Sequence, residues 1–378
     1  MRTKGADQLA LQGQALLHLR SRRASSRSSL AQSLDVSPST AGLHVDQLIA
    51  AGFLDDSGRD QGAMGRPKRT LALRPDAGWF AGVELTAERV QAIQIDFSGN
   101  TLSKHLDFLP SNPTTEDAIN TVTNSIKTLD QSNKSPLLGI GIGAPGLVDP
   151  DKGIALDHSL IQDWSDVPIV DRLKKQFDAA VVLENNLRAV AIAERWFGAG
   201  KDLADYVIIG PRSGFGIAIV QNGRLTRGAH HAAGEIGRWP WPLNGAKNNE
   251  TLEDYLSAPA AYRRLAGLSN RGRLPVDLHT ALAGLADTTG RFWNRLVADY
   301  ARVLGLIHLM LDAHTCYLHG PMTALGPRFC EDVLATVPDA FPNLKNNSIR
   351  FTPSTLGDNA GALGAASLAM ESWIPAPI

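Results

Sequence analysis

The chain has 378 residues, 43% of them hydrophobic, which is enough for two or three hydrophobic cores and excludes a wholly disordered protein. It has no run of about 18 apolar residues and no N-terminal signal-peptide segment, so we expect a cytoplasmic protein with no membrane partner. The formal net charge of -1 conceals a basic head, because residues 1–75 hold 11 Lys and Arg against 6 Asp and Glu. A basic head on an acidic body predicts that the head binds a polyanion, with an ordinary charged surface as the alternative.

The N-terminal segment predicts three helices in succession. The first, ADQLALQGQALLHLRSRR, carries leucines and the stem of Arg20 at helical spacing. The second, SSLAQSLDV, is short, and either Ser28 or Ser29 is expected to cap it. The third, SPSTAGLHVDQLIA, has Ser37 as its N-cap and Pro38 at the first helical position, where a missing N–H costs nothing.

The third helix is the candidate DNA-reading element. Its apolar residues recur at helical spacing and are expected to face inward. The outward face near its start is expected to consist of Ser37, Ser39, Thr40, Leu43 and His44. Two short helices joined by a tight turn, the second with small hydroxyl side chains at its start, indicate a helix-turn-helix that enters the major groove. A three-helix bundle for protein contacts is the alternative.

The segment GFLDDSGRDQGAMGRPKRTLALRPD predicts two strands with a flexible tip, the shape of a wing. Within the tip, Arg66 stands between a glycine and a proline, as in the short tripeptides that insert into a narrow minor groove. Lys68 and Arg69 follow and are expected to contact phosphates. Residues 1–75 are therefore predicted to form a winged helix-turn-helix that binds double-stranded DNA.

From Trp79 onward the pattern becomes that of an α/β body. Three strands, WFAGVELT, VQAIQIDFSG and NTLSKHLDF, are expected to pair antiparallel, followed by a helix over 114–132 and the strand LLGIGIGAPG. A similar order recurs in YVIIGPRSGFGIAIVQNGRLTRG, a long helix around 290–312, the strand TCYLHGP and a closing helix. This repeated order resembles the duplicated ribonuclease-H-like fold of actin and the sugar kinases, so residues 76–378 are expected to form two lobes.

The body resembles the ROK family of repressors, open reading frames and sugar kinases. The motifs that carry the resemblance are GIGIGAPGLVDPDKG, the pair DW at 163–164, LENNLRAVAIAERWFGAG, SGFGIAIVQNGRLTRGAHHAAGEIGRW, TLEDYLS and ALGAASLA. The head resembles the winged helix of the repressor branch of the same family. The resemblance implies a sugar-binding body joined to a DNA-binding head.

The resemblance also implies that this chain lacks residues that the kinases of the family use for catalysis. Kinases of the family carry an aspartate as general base where this chain has Asn186, and an amide cannot take a proton near neutral pH. The first phosphate loop of the family corresponds to residues 84–88, ELTAE, with no glycine pair and with two acids. The second, at residues 212–216, is half intact, and a later glycine pair has become Gly320-Pro321. We therefore predict no kinase activity and no cofactor.

A structural zinc is also not expected. Zinc-bearing members of the family have a histidine where this chain has Arg238, and three cysteines downstream where residues 243–251 contain none. We expect packing by Trp239 and Trp241 to hold this segment instead. The two cysteines, Cys316 and Cys330, lack metal-ligand spacing and are expected to be buried apolar residues.

By the resemblance, the sugar-binding residues are expected to be Asn185, Asn186, Glu235, Glu253 and Asp163, with Arg238 beside them. Amides and carboxylates suit vicinal hydroxyls because each can bind two of them. Structural alternatives exist for three of these residues, with Asn185 as a helix cap, Glu253 as a helix-start acid and Glu235 as a partner of Arg238. Arg238 either braces a neighbouring carboxylate or binds an anionic group of the ligand.

These observations together predict a transcriptional regulator, most simply a repressor of carbohydrate genes, whose body binds a sugar or sugar derivative. A homodimer formed by the body is expected to bind an AT-rich, pseudo-palindromic operator, because one helix-turn-helix contacts only a half-site. A sugar kinase with a fused DNA-binding domain is one alternative. A regulator that responds to a partner protein without a small-molecule effector is another.

Overall fold

A computed structural model describes residues 4–21, 26–59, 69–131, 134–242, 249–344 and 349–375. The helices are α1 (Lys4–Arg20), α2 (Arg27–Ser33), α3 (Pro38–Ala50), α4 (Thr115–Asp130), α5 (Ile169–Lys174), α6 (Asn186–Phe197), α7 (Leu252–Leu256), α8 (Ala258–Leu265), α9 (Leu278–Ala283), α10 (Arg291–Leu311), α11 (Gly326–Ala340) and α12 (Ala360–Ser372). The strands are β1 (Leu54–Arg59), β2 (Arg69–Leu73), β3 (Trp79–Leu85), β4 (Arg89–Asp96), β5 (Thr101–Phe108), β6 (Leu137–Ala144), β7 (Leu147–Asp149), β8 (Ile154–Asp157), β9 (Ser165–Val167), β10 (Ala180–Asn185), β11 (Tyr206–Pro211), β12 (Phe215–Gln221), β13 (Arg224–Thr226), β14 (Thr315–Leu318) and β15 (Arg350–Pro353).

The chain divides into two compact units. The first comprises Met1–Ala189 with Gly361–Ile378, and the second comprises Val190–Ala360. The first unit therefore holds the N-terminal head, the first half of the body and the C-terminal helix α12. The predicted domain boundary at residue 75 lies inside this unit and stays a prediction.

The head has the predicted three helices followed by an antiparallel pair of strands, β1 and β2. α3 begins as expected, since the Ser37 hydroxyl accepts a hydrogen bond from the Thr40 N–H at 3.1 Å and Pro38 occupies the first helical position. The predicted cap of α2 was wrong. The N-cap is Ser26, two or three residues before the expected Ser28 or Ser29, and it forms a reciprocal capping box with Ser29.

The first unit contains a five-stranded sheet in the order β10-β6-β3-β4-β5. β3, β4 and β5 pair antiparallel as predicted, whereas β6 and β10 run parallel to β3. One face of the sheet packs against α4 and α5 through a buried apolar cluster that includes Val83, Ile140 and Ile142. α4 follows the predicted helix and is capped by Thr114.

α12 packs on the opposite face of this sheet, and glycines in β3 and β6 let its backbone approach the strands closely. A Cβ on Gly82 would lie 2.0 Å from the carbonyl oxygen of Ala362, and a Cβ on Gly141 would lie 1.8 Å from that of Ala365. Gly139 and Gly141 of the GIGIG run thus face this alanine-rich helix, whereas Gly143 faces the start of α6. The isoleucines between them face α4. This direct backbone contact positions α12 on the sheet.

The second unit repeats the topology, with a five-stranded sheet in the order β13-β12-β11-β14-β15. β11, β12 and β13 are antiparallel neighbours, and β14 and β15 run parallel to β11, as their counterparts do in the first sheet. The predicted duplicated α/β body is confirmed by this repeat. Cys316 and Cys330 are free and buried in the second core, as predicted, and burial raises the pKa of each thiol to about 12.

Within the described residues, every helix is too short or too polar to traverse a lipid bilayer.

Candidate functional site

The start of α3 presents the predicted reading surface. Ser37, Ser39 and Leu43 are exposed, with Leu43 at 55%, and Thr40 is half-buried. The Ser37 hydroxyl lies 2.8 Å from both the Ser39 and Thr40 hydroxyls, so the three form one polar cluster at the helix start. Such a cluster beside an exposed leucine can contact phosphates and a thymine methyl group in the major groove.

The expected outward position of His44 was wrong. His44 is only 5% exposed, and its Nδ1 has no hydrogen-bond partner among the described residues. The reason is helical spacing, since residues 41, 44, 45 and 48 follow the i, i+3, i+4, i+7 pattern of a buried stripe. His44 therefore belongs to the core of the head and is no longer a candidate for direct DNA contact.

The Arg27 side chain connects α2 to α3 and β1 in the head. Its guanidinium contacts Asp46 of α3 at 2.7 Å and Asp56 of β1 at 3.0 Å, and it donates to the Gly42 carbonyl at 3.4 Å. A Cβ on Gly42 would meet nothing within 4 Å, so packing inside the head does not require this glycine.

The predicted wing contacts, Arg66 and Lys68, lie outside the described residues, and Arg69 opens β2 without a described side chain. Among the basic residues of the head whose side chains are described, each is already engaged: Arg27 as above, Arg74 with Asp76 at 2.8 Å, and Arg20 inside the protein.

Arg20 joins the head to the body within the first unit. Its Nε donates to the Phe97 carbonyl at 3.1 Å and its Nη1 to the Met370 carbonyl at 3.2 Å. The guanidinium carbon lies 4.4 Å from the Phe97 ring centroid. Burial lowers the pKa of Arg20 to about 9, against the opposing charge of Asp96, so the group stays cationic at neutral pH.

Aromatic rings complete this joint. Phe53 of the head stacks on Phe97 at 5.2 Å and meets Trp373, which follows α12, edge-on at 5.1 Å. Phe80 of β3 also contacts Trp373. The head is thus packed on the same strand, β3, whose other end carries the predicted ligand site.

In the first unit, the predicted ligand residues Asn185 and Asn186 stand where β10 passes into α6. The Asn185 Oδ1 accepts from the N–H groups of Leu187 and Arg188, at 2.9 and 3.2 Å, and its Nδ2 donates to the Gly146 carbonyl at 2.8 Å. The helix-cap alternative for Asn185 is therefore what the structure shows. Its amide holds the start of α6 and the turn at Gly146.

Asn186 is placed differently. Its Nδ2 lies 3.4 Å from the carbonyl of Leu85, the last residue of β3, and its Oδ1 has no partner among the described residues. An aspartate carboxylate could not donate this hydrogen bond. The Asn186 amide therefore fits its protein surroundings, and an amide also suits a polar ligand. The half-buried oxygen remains available to accept from a hydroxyl.

The turn that corresponds to the first phosphate loop is closed on itself. The Thr86 hydroxyl accepts from the N–H groups of Glu88 and Arg89, at 3.3 and 3.1 Å. Glu84 is buried, and its carboxylate lies against Gly361 in the first turn of α12, where a Cβ would approach it to 2.1 Å. The N–H groups of Thr86, Glu88 and Arg89 in this turn are therefore occupied, and a carboxylate stands nearby.

His158 is a candidate that the sequence did not single out. It is half-buried beside the Gly146 turn that Asn185 holds, where a Cβ on Gly146 would lie 3.1 Å from the His158 Cβ. Burial lowers the pKa of His158, although Glu88 and Asp157 raise it. In the sequence, His158 is marked only by its position five residues before Asp163 of the DW pair. In the structure, Asp163 is exposed and has a φ of +57°.

In the second unit, Glu235, Arg238 and Glu253 lie around the turn at the start of β12. The Glu253 carboxylate is within 3.0 Å of a Cβ built on Gly214 and 3.2 Å of one on Gly237. Glu235 precedes a short helical turn that ends at Arg238. Glu253 is also in the first turn of α7, the helix-start position weighed above.

Arg238 is exposed, and its side chain makes no ion pair or hydrogen bond with the described residues. The bracing contact between Arg238 and a neighbouring carboxylate is accordingly not seen in the described part of the chain. The packing expected of the tryptophans is confirmed, since Trp241 is buried in the second core and Trp239 packs against it. The Trp239 carbonyl accepts from the Leu252 N–H at 2.8 Å, which ties this segment to α7.

The second and third glycine-rich turns of the family pattern lie side by side in the second unit. A Cβ on Gly320 would lie 3.0 Å from the Arg212 Cγ, so the arginine stem covers this turn. His319, just before it, is buried, and burial together with Arg212 lowers its pKa to about 3. This corner of the second unit therefore carries a fixed cation and a neutral imidazole.

Comparison with known proteins identifies some relatives that are named as repressors and others that are named as glucokinases. The ROK family matches residues 80–372. The xylose repressor of Bacillus subtilis is 26% identical over 360 residues, 92% of each chain, and the glucokinase of Halalkalibacterium halodurans is 26% identical over 78% of this chain and 95% of its own. A ROK transcriptional regulator, a homologue of the E. coli MLC protein, superposes with a TM-score of 0.81 at 18% identity, covering 97% of this chain and 96% of that one. The chain belongs to the ROK family.

Proposed function

We propose that this chain is a DNA-binding transcriptional repressor whose body senses a sugar or sugar derivative without phosphorylating it. The observation that carries the proposal is the exposed start of α3, with its serine cluster and Leu43, on a helix-turn-helix attached to a ROK body. The similarity to the xylose repressor over 92% of both chains supports it, because that match extends well beyond the body.

The hydrogen bonding of the body supports a sensor rather than a kinase. Asn186 cannot act as a general base, and losing a general base typically costs about 10²- to 10⁴-fold in rate. The N–H groups of Glu88 and Arg89 are taken by the Thr86 hydroxyl, and Glu84 places a carboxylate beside the start of α12. A phosphate at this turn would lose its donors and meet negative charge.

The amide of Asn186 in the first unit and the carboxylates of Glu235 and Glu253 in the second are each residue types that bind hydroxyl groups, so a polyhydroxylated effector is the proposed ligand. Xylose is the first sugar to test, since it is the sugar in the name of the Bacillus subtilis relative. A thermal-shift screen separates this proposal from control by a partner protein alone. A sugar at 100 times its Kd should add about 2.7 kcal/mol of stability.

The DNA-binding half of the proposal is tested by selecting duplexes from a random library with the full chain and measuring their affinity by fluorescence anisotropy. Ser39→Glu places a negative charge on the reading surface and should weaken binding at least about 10-fold. Ala50→Glu, at the exposed far end of the same helix, is the matched control and should change it less than about 3-fold. Equal losses for both variants would refute the reading role of the α3 start.

The wing is tested in the same assay, although Arg66 and Lys68 lie outside the described residues. If Arg66 enters the minor groove, Arg66→Ala should cost roughly 1 to 3 kcal/mol on an AT-rich operator. Lys68→Ala should cost less and act evenly on all sequences. An equal loss on operator and random DNA for Arg66→Ala would reduce its role to a phosphate contact.

A further inference from the structure

The outward face of α3 has few side chains of the kind that identify a base by hydrogen bonding. Its exposed residues recur at helical spacing, and Ser39, Leu43, Asp46 and Ala50 form one stripe. In the major groove, arginine or lysine identifies guanine, asparagine or glutamine identifies adenine, and an acid identifies cytosine. Of these side-chain types, α3 contains only Asp46 and Gln47.

Asp46 and Gln47 are both held by other parts of the head. The Asp46 carboxylate lies 2.7 Å from the Arg27 guanidinium of α2. The half-buried Gln47 accepts a hydrogen bond on its Oε1 from the Gln12 amide of α1 at 2.9 Å. To recognise a base, either side chain would have to give up a contact inside the head. Hydrogen-bonded readout by these two residues is therefore disfavoured.

The hydroxyl groups at the start of α3 do not select a base either. Those of Ser37, Ser39 and Thr40 form the polar cluster described above. A hydroxyl both donates and accepts, so serine and threonine pair with either kind of polar group on a base edge. The cluster can hold the helix start against the duplex without distinguishing one base pair from another.

Leu43 is the largest exposed side chain in the first two turns of α3. It is 55% exposed, whereas the other large hydrophobic side chains described in the head are buried or half-buried. Its neighbours on this surface, Ser39 and Gly42, are too small to cover it. Since these neighbours are not apolar, Leu43 is not part of a contiguous apolar patch of the kind that binds proteins.

The major groove offers one apolar group that a leucine can bury. This group is the C5-methyl of thymine, and the major-groove edge of cytosine has no such methyl group. A leucine that packs against it needs no hydrogen-bond donor or acceptor. Burying one methyl group changes an affinity by about 4-fold.

We propose that Leu43 selects thymine in each half-site by packing against its C5-methyl group, and that α3 distinguishes base pairs chiefly through this contact. The inference rests on the proposed function, because it requires the start of α3 to lie in the major groove. A pair of 5-methylcytosine with guanine carries a methyl group at the same place. Such a pair should therefore replace the T·A pair better than an unmodified C·G pair does.

The test uses the full chain and the tightest duplex selected from a random library, with the Kd measured by fluorescence anisotropy at one salt concentration. Each thymine is replaced in turn by deoxyuridine, which lacks the methyl group but pairs in the same way. One thymine in each half-site should show a loss of about 4-fold. At that position, 5-methylcytosine should bind about 4-fold tighter than cytosine.

Variants at position 43 assign this effect to the leucine side chain, with circular dichroism to confirm folding. Leu43→Ala should bind the thymine and deoxyuridine duplexes equally, to within about 1.5-fold. Leu43→Met keeps an apolar side chain of similar volume and should retain a preference for thymine of at least about 2-fold. Ala50→Glu, at the far end of the same helix, is the matched control and should retain the full preference.

Three results would overturn the proposal. They are a parent chain whose affinity no deoxyuridine substitution lowers, a Leu43→Ala variant that keeps the thymine preference, and a Leu43→Ala variant that binds the duplex as tightly as the parent. The last result would assign Leu43 to a contact with another protein. A parent chain for which no duplex is selected would refute the DNA-binding function and this inference with it, whereas a bound duplex that is insensitive to the methyl group would refute the inference alone.

Discussion

The first hairpin of each sheet gives the most informative comparison in the molecule. β3-β4 and β11-β12 occupy equivalent positions in the two repeated sheets, yet the charged groups at their turns differ. In the first turn, the Thr86 hydroxyl takes the backbone donors and Glu84 and Glu88 add negative charge. In the second, Arg212 supplies a cation beside Gly320, and the Glu253 carboxylate lies against Gly214. One fold has thus kept its topology twice, while the charged groups at the corresponding turns have changed.

The fourth strands differ in a related way. β6 is glycine-rich where α12 packs directly on it, whereas β14, TCYL, carries larger residues. After β6 the chain turns at Gly146, which Asn185 holds, and after β14 it passes through the buried His319. The first half therefore depends on close backbone contact, and the second on buried side chains. Each difference can be tested by a substitution confined to one half.

The largest effect is expected from Gly141→Ala. The added methyl group would lie 1.8 Å from the Ala365 carbonyl oxygen, so α12 must move off the sheet. We expect a loss of about 3 kcal/mol or more in the free energy of unfolding, measured by denaturant titration. The control is Gly284→Ala in the second unit, where a Cβ meets only ordinary contacts at 3.5 Å. A loss below about 1 kcal/mol for Gly141→Ala would contradict the direct packing of α12.

The second-largest effect is a pH dependence of the free energy of unfolding, which His319 causes in the second half of the body. The pKa of His319 is about 3 in the folded chain and about 6.5 when unfolded, because burial disfavours its charged form. The unfolded chain therefore binds the extra proton, and stability present above pH 6.5 is lost as pH falls toward 3. Between pH 7 and pH 4.5 we expect a loss of about 2 to 3 kcal/mol from this group. His319→Asn should flatten the profile relative to the parent, and identical slopes in the two proteins would show that His319 does not contribute.

A smaller effect is expected at Arg238, which is exposed and unpaired within the described residues. If its guanidinium binds an anionic group, a sugar acid or sugar phosphate should bind about 10-fold tighter than the neutral sugar. Calorimetry with glucose, glucuronic acid and glucose 6-phosphate measures this difference, and Arg238→Met should abolish it. Equal affinities for all three ligands, or an unchanged preference in Arg238→Met, would exclude the anion role.

The smallest effect concerns Asn186 in the first half. Asn186→Asp removes the donor to the Leu85 carbonyl and should cost about 1 kcal/mol of stability. It restores a carboxylate but none of the phosphate-binding backbone, so we expect no ATP-dependent phosphorylation of any sugar in a coupled assay. Robust turnover would show that the turn at Thr86 still admits ATP.

Hydrophobic periodicity and turn residues predicted the helices and strands that are determined by short-range sequence. The strands from Trp79 to Phe108 and the long helix α10 follow from periodicity and turn residues, and the topology followed from the repeat. His44 was misplaced because one residue on a helix rotates a side chain by about 100°, enough to move it from surface to core. The outward face of a short helix is therefore less certain than the helix itself.

The contacts that define the sites could not be predicted in this way. Glu84 meets Gly361 and Arg20 meets Met370, pairs separated by most of the chain, and no spacing rule connects them. The resemblance located Asn185, but its role as a cap depends on the carbonyl of Gly146, which the turn brings close. Residue type indicated that an amide was needed, and only the fold showed which hydrogen bonds it makes.

A ligand of the body is expected to change the affinity of the head for DNA. The Kd for a selected duplex should be measured by anisotropy with and without a sugar that stabilises the chain against heat. We expect this sugar to shift the Kd by at least about 5-fold, and ATP at the same concentration to leave it unchanged. A duplex Kd that is the same with and without every sugar the chain binds would contradict it.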